Sequence, residues 1–163
     1  MSIRQKLRFT SESDLTKLVI NGDTYYCAPH PDLPGYLGTT TGQIISLVHR
    51  YTGGSEQVRG TSEPKILKPV FQPSGYIKHL LCLPSGKRVQ KYAHRFVSEC
   101  FLMPPSPEIT QVNHINYEKA DNHIRNLEYV TPSENKRHGW MREVIDEERR
   151  SYRKSRLKLI KKA

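Results

Sequence analysis

The sequence predicts an α+β protein in three parts: a β-hairpin-rich N-terminal region, a core of two strands and a helix, and a basic C-terminal helical arm. Three observations carry this. From Asp23 to Tyr92, short apolar runs are punctuated by Gly and Pro turns. Between Ala93 and Leu102, Phe96, Val97, Cys100 and Phe101 fall at helical spacing. Past Trp140 the chain is polar and strongly basic.

In chain order, residues 1–22 are basic (Arg4, Lys6, Arg8, Lys17) and form either a loose arm or a short helix from Ser13 to Ile20 capped by Ser13 or Asp14. Two short strands follow about a glycine turn, Gly35–Gly38 and Gln43–Leu47, and Tyr51–Pro64 is a polar loop. Tyr76–Leu83 and Lys87–Tyr92 make a hairpin across Pro84-Ser85-Gly86. Its Lys78, Lys87, Arg88 and Lys91 line one exposed surface, which is either a ribbon for a DNA groove or a solvated face. The helix over 93–102 stops at Met103-Pro104-Pro105-Ser106-Pro107, because consecutive prolines cannot continue it. Leu127–Val130 alternates as a strand. Thr131-Pro132-Ser133-Glu134 then starts a helix, with Thr131 as cap, Pro132 in the first turn and Glu134 as capping-box partner.

The chain has 163 residues, enough for one domain with arms. Hydrophobic content is 36%, low for a tightly globular protein, and the net charge is +10, which points to a polyanionic partner. From Lys136 to Ala163 eleven Lys/Arg stand against four Asp/Glu, so most of that excess sits in one arm. No apolar run approaches the roughly 18 residues of a membrane span, and the N-terminus lacks the apolar core of a secretory signal. Cys27, Cys82 and Cys100 are too few and too scattered for a disulfide framework or a zinc knuckle, and read as reduced thiols of a cytoplasmic protein.

The chemistry concentrates in Gln111–His138, QVNHINYEKADNHIRNLEYVTPSENKRH. Asn113 and His114 end one strand, Asn126 precedes the next, and Asn135 and His138 share a face of the following helix. Hydrolysing a phosphodiester takes a base for water, charge stabilisation on phosphoryl oxygens, and help for the leaving oxygen. A neutral histidine suits the first task, and a divalent cation held by amide oxygens suits the others. Successive strand residues point to opposite sides, so Asn113 and His114 serve one site only if the strand bends there.

Val112-Asn113-His114-Ile115-Asn116, Asp121-Asn122, Asn126-Leu127-Glu128-Tyr129-Val130-Thr131, Ser133-Glu134-Asn135 and His138 together resemble the HNH motif. The likeness is to the phage and intron-encoded HNH homing endonucleases of the ββα-metal (His-Me finger) superfamily. His94-Arg95-Phe96-Val97 and Phe101 resemble the helix before that motif. Gly35-Tyr36, Gly42–Leu47, Leu67-Lys68-Pro69 and Gly75-Tyr76 resemble the accompanying N-terminal module. The likeness implies divalent-metal-dependent cleavage of DNA to 5′-phosphate and 3′-hydroxyl ends, with Mg²⁺ or Mn²⁺ as cofactor and double-stranded DNA as partner. A monomer is favoured over a homodimer, without membrane attachment, in the host-cell cytoplasm if phage-encoded.

By position, His114 resembles the general base, and Asn126 the central asparagine that holds the loop and helps orient the histidine. Asn113 and Asn135 fall on metal-ligand positions, and His138 is an extra ligand or a structural residue. The family often carries Asp where this chain has Asn113, which implies weak Mg²⁺ affinity or a preference for Mn²⁺. The expected organisation is a basic arm (1–22), a DNA-reading region (23–92), an HNH core (93–140) and a basic helical tail (141–163). Nucleic-acid contacts are expected from Lys78, Lys87, Arg88, Lys91, Arg95, Lys136, Arg137, Arg149, Arg150, Arg153 and Lys154. Rival readings are a cleavage-deficient regulatory DNA-binding protein and a basic RNA-binding protein.

Overall fold

The computed structural model describes residues 6–9, 11–50, 58–83 and 86–160, with the backbone alone for 6, 12, 49–50, 58–62, 149 and 152–160. A two-residue strand, β1 (Lys6–Leu7), precedes an antiparallel meander of β2 (Thr16–Ile20), β3 (Asp23–Pro29), β4 (Tyr36–Thr39), β5 (Ile44–Arg50) and β6 (Val58–Ile66). A three-stranded sheet follows, of β7 (Val70–Phe71), β8 (Ile77–Cys82) and β9 (Arg88–Tyr92). Then come α1 (Ala93–Phe101), β10 (Leu102–Met103), β11 (Gln111–His114), β12 (Leu127–Val130) and α2 (Pro132–Ile160). β1 pairs antiparallel with β10, and β11 with β12.

Two expectations are corrected. The helix over Ser13–Ile20 is instead a 3₁₀ turn at Glu12–Asp14 followed by strand β2. Asn21 and Gly22 decide this, with φ of 54° and 91° between the facing residues Ile20 and Asp23. That is a two-residue hairpin, whose twist suits paired strands and not a helix end. The residue 22/23 boundary therefore falls inside a hairpin. The polar loop expected over 51–64 is strand β6 from Val58 onward, paired with β5 across a register shift between Ser46 and Val48. Residues 51–57 lie outside the described residues.

Helix α1 organises the interior. Its Phe96, Val97, Cys100 and Phe101 pack with Ala28, Tyr36 and Ile44 of the meander, Leu81 of β8 and Leu127 of β12 in one buried cluster. One helix face thus seals three sheets together, as expected of an amphipathic helix with an apolar stripe. Gly38 allows the close approach, since a Cβ there would lie 2.9 Å from Cys100 Sγ. A second small cluster, Cys27, Leu37 and Ile45, fills the other face of the meander. Polar ties cross between the layers. The Tyr36 hydroxyl donates to Cys82 O (2.9 Å) and accepts from Cys82 N (2.7 Å). On α1, Glu99 meets His30 Nε2 at 2.6 Å and Lys91 Nζ at 3.2 Å. Burial alone would raise the Glu99 pKa, but the His30 hydrogen bond and the Lys91 charge outweigh it and hold the carboxyl below its usual range.

The meander also braces the loop between β11 and β12. Ile124 N donates to Thr40 O (3.0 Å). At Gly42 (φ 93°) a Cβ would stand 2.5 Å from the backbone carbon of Asn122. Only glycine tolerates both that conformation and that approach.

Candidate active site

Strands β11 and β12 are in register, with Asn113 opposite Glu128 and His114 opposite Leu127. Beyond His114 the chain bends at once: Ile115 N donates to Asn126 O (2.9 Å) and Tyr117 N to His114 O (3.1 Å). Tyr117 takes a left-handed conformation, φ 67°, strained for a bulky residue. Helix α2 opens as the capping-box residues require. Thr131 N donates to Glu134 Oε2 (2.8 Å), and Glu134 N to Thr131 Oγ1 (3.2 Å). Starting there, α2 turns Asn135, His138 and Arg142 toward β11, and they line a cleft of about 100 Å³ with Asn113, His114 and Tyr117. The bend brings both Asn113 and His114 onto that one cleft.

The side chains are locked. His114 is 4% exposed, and its Nε2 lies 3.2 Å from Asn122 Oδ1. Asn122 gives its own Nδ2 to Ala120 O (3.1 Å), which turns the oxygen to the histidine. Nε2 is then the protonated nitrogen, and Nδ1 carries the lone pair. Burial lowers the His114 pKa and outweighs the Asn122 hydrogen bond that would raise it, so the ring is neutral at neutral pH. Behind it lies His94, in edge-to-face contact at 5.1 Å, its pKa pushed down to about 3 chiefly by burial.

Asn113 donates Nδ2 to Glu128 Oε1 (2.9 Å), and Asn135 donates Nδ2 to Gln111 Oε1 (2.6 Å). Both amides are anchored by nitrogen, leaving their oxygens as the donors available to a hard cation. Among the described residues no three His, Cys, Asp or Glu side chains gather as a metal-binding group; the oxygen donors here are amides, which suit Mg²⁺ or Mn²⁺ and not a thiophilic ion. His138 stacks on Tyr117 with ring centroids 4.0 Å apart, and Arg142 Nη1 holds Tyr117 O at 2.7 Å.

Asn126 sits beneath this cleft without lining it. Its Oδ1 accepts from Asn116 N (2.9 Å) and its Nδ2 donates to Asp121 O (2.8 Å), so it shapes the loop and touches no reacting atom. Arg95 lines an adjoining basin of about 250 Å³ with His94, Tyr76, Tyr92 and Asn135. On the hairpin, Lys78 and Arg88 share a sheet face with Leu80 and Gln90, whereas Lys91 points to the other face and pairs with Glu99. The expectation that four basic residues line one surface is corrected accordingly for Lys91. Lys87 and Arg88 are exposed. Lys136 and Arg137 are exposed, on the side of α2 away from Asn135, His138 and Arg142. Arg150 is exposed on the same helix, and the side chains of Arg149, Arg153 and Lys154 lie outside those described.

Sequence reasoning did not assign roles to Asn122, Glu128, Gln111, Tyr76 or Arg142. Glu128 and Gln111 follow from strand register once Asn113 is placed. Tyr76, whose ring lies 5.9 Å from His114, comes from a hairpin distant in sequence, and no local signal marks it.

A family model described as HNH endonuclease matches residues 91–137. An uncharacterized HNH endonuclease of Acanthamoeba polyphaga mimivirus is 42% identical over 74 residues, which is 45% of this chain and 19% of that protein. The Bacillus subtilis (strain 168) SPbeta prophage protein YosQ, named as an HNH homing endonuclease, is 47% identical over 72 residues, 44% of this chain and 40% of its own. The chain therefore spans well under half the length of these relatives. The solved structure titled DNA binding and cleavage by the HNH homing endonuclease I-HmuI shares the fold at a TM-score of 0.51 and 23% identity, covering 78% of this chain and 59% of that one. Among the described residues no helix is long and apolar enough to cross a membrane. The residues matched by the HNH endonuclease family model, 91–137, hold α1, the β11–β12 hairpin and the first turn of α2.

Proposed function

We propose that this chain is a divalent-metal-dependent endonuclease that, as a monomer, cuts double-stranded DNA to 5′-phosphate and 3′-hydroxyl ends. One observation carries the reading: a buried neutral His114 shares a cleft with two amides whose nitrogens are tied back. The Nδ1 lone pair of His114 takes the proton from the attacking water, while Asn122 keeps Nε2 protonated and the ring fixed. Asn113 and Asn135 hold the cation through oxygen, with His138 at the edge of the same cleft. When bound, Mg²⁺ or Mn²⁺ supplies Lewis-acid stabilisation of the phosphoryl and leaving oxygens. Because Asn113 is neutral where a carboxylate would bind more strongly, activity saturates at millimolar and not micromolar Mg²⁺.

The duplex is gripped by charge. Arg95 beside the cleft, Lys78, Lys87 and Arg88 on the hairpin, and Lys136, Arg137, Arg149, Arg150, Arg153 and Lys154 on α2 are its phosphate contacts. The likeness to I-HmuI, whose title concerns DNA binding and cleavage, supports this choice of partner. The test is supercoiled plasmid incubated with Mg²⁺ or Mn²⁺ and with EDTA. Nicked or linear product in the metal lanes alone is expected. Binding without cleavage would leave a DNA-binding protein, and structured RNA outcompeting duplex DNA at equal salt would leave an RNA-binding one.

A further inference from the structure

We infer that Glu128 is a positioning residue for the cation: it fixes which end of the Asn113 amide faces the cleft and supplies the negative charge that Asn113 itself lacks. This rests on Asn113 being a cation ligand. Glu128 stands directly across the β11–β12 ladder from Asn113 and accepts its Nδ2 at 2.9 Å. An ionised carboxylate only accepts hydrogen bonds, so the amide nitrogen is the end that faces it. The oxygen is left for the cleft, which Asn113 lines while 7% exposed. Without Glu128 the amide is free to flip and present N–H groups, which repel a cation.

The second contribution is electrostatic. Asn113 offers a dipole, and the charge sits one hydrogen bond behind it. Partners outside the coordination sphere typically change metal affinity about 10–100-fold. The arrangement also explains why an amide is tolerated at position 113. A carboxylate there would face Glu128 across the ladder at hydrogen-bonding distance, and like charges directly opposite are unfavourable. Neutral ligand and charged neighbour are therefore one unit.

The experiment is Mn²⁺ binding to the full chain, followed by electron paramagnetic resonance without DNA, with thermal melting to verify folding. Wild type is expected to bind Mn²⁺ in a way that Asn113→Ala abolishes. Glu128→Ala is expected to weaken binding about tenfold or more, and Glu128→Gln, which keeps an acceptor but no charge, to fall between. Asn113→Asp is expected to bind Mn²⁺ more tightly than wild type while melting lower without metal, because the two carboxylates across the ladder repel until a cation lies beside them. Adding Glu128→Gln is expected to raise the melting temperature and to give back part of that affinity. Loss of affinity together with a gain in metal-free stability is what a purely structural Glu128 would not produce. Asn113-dependent binding that Glu128→Ala and Glu128→Gln leave unchanged would overturn this inference alone. Wild-type binding indifferent to Asn113→Ala, or no binding, would overturn the ligand reading and this inference with it.

Discussion

Replacing Asn126 by Ala isolates the support of the site from its chemistry. The side chain is 8% exposed and makes two hydrogen bonds, from Asn116 N at 2.9 Å and to Asp121 O at 2.8 Å. Truncation removes both at once and leaves a loop amide and a loop carbonyl without their protein partner. A buried group so stranded costs about 1–3 kcal/mol. Asn116 and Asp121 lie in an exposed loop where water replaces part of the loss, so about 2–3 kcal/mol in total is expected. At roughly 2–4 °C per kcal/mol for a chain of this size, the melting temperature falls by about 5–10 °C. Urea denaturation measures the first figure, and amide exchange at Asn116 locates it. Asn126→Asp keeps the Oδ1 acceptor and loses the Nδ2 donor, so it retains protection at Asn116 while still losing stability. Cleavage falls in both variants with DNA affinity little changed. Asn126→Ala within about 0.5 kcal/mol of wild type, with Asn116 still protected, would refute the loop-holding role.

The remaining predictions concern charge and metal. Glu99 has its folded pKa depressed, so its contribution is present above the ordinary carboxylate pKa and is lost as pH falls through the lower folded value. Glu99→Gln is expected to lose stability at pH 7 and to flatten the decline in urea midpoint on acidification; an unchanged slope would remove Glu99 from the account. On the hairpin, Arg88→Ala is expected to reduce the salt dependence of DNA binding by about one counterion, whereas Lys91→Ala leaves that slope alone and lowers stability through its pair with Glu99. Equal effects on the salt slope would contradict the assignment of the two residues to opposite faces. Asn135→Ala is expected to raise the Mn²⁺ concentration needed for half-maximal cleavage, and an unchanged metal titration would exclude it as a ligand.

Much of this was legible because several local signals agreed. The capping box at Thr131–Glu134, the apolar spacing of α1 and the hairpin from Ile77 to Tyr92 all report short-range physics, and each element lies where those residues place it. At the N-terminus two local signals conflict: Ser13 and Asp14 offer helix caps, but the turn dipeptide Asn21-Gly22 prevails and makes the β2–β3 hairpin. The support of His114 was legible only in part. Asn122 sits within the motif, but its bond to Nε2 depends on a loop pinned from outside by Thr40 and Gly42. Tyr76 and His94 reach the same ring from the β8 hairpin and from α1, through packing of distant segments that no local pattern encodes. Lys91 shows the limit of composition: its charge is visible in sequence, but the face it occupies follows from strand register.

The most direct measurement is single-turnover cleavage of an end-labelled duplex by wild type and His114→Ala in saturating Mn²⁺. A folded variant slowed by at least about a hundredfold, as expected when a general base is removed, with product ends from wild type carrying 5′-phosphate and 3′-hydroxyl, is the predicted result. Cleavage by His114→Ala at the wild-type rate would contradict the account at its centre.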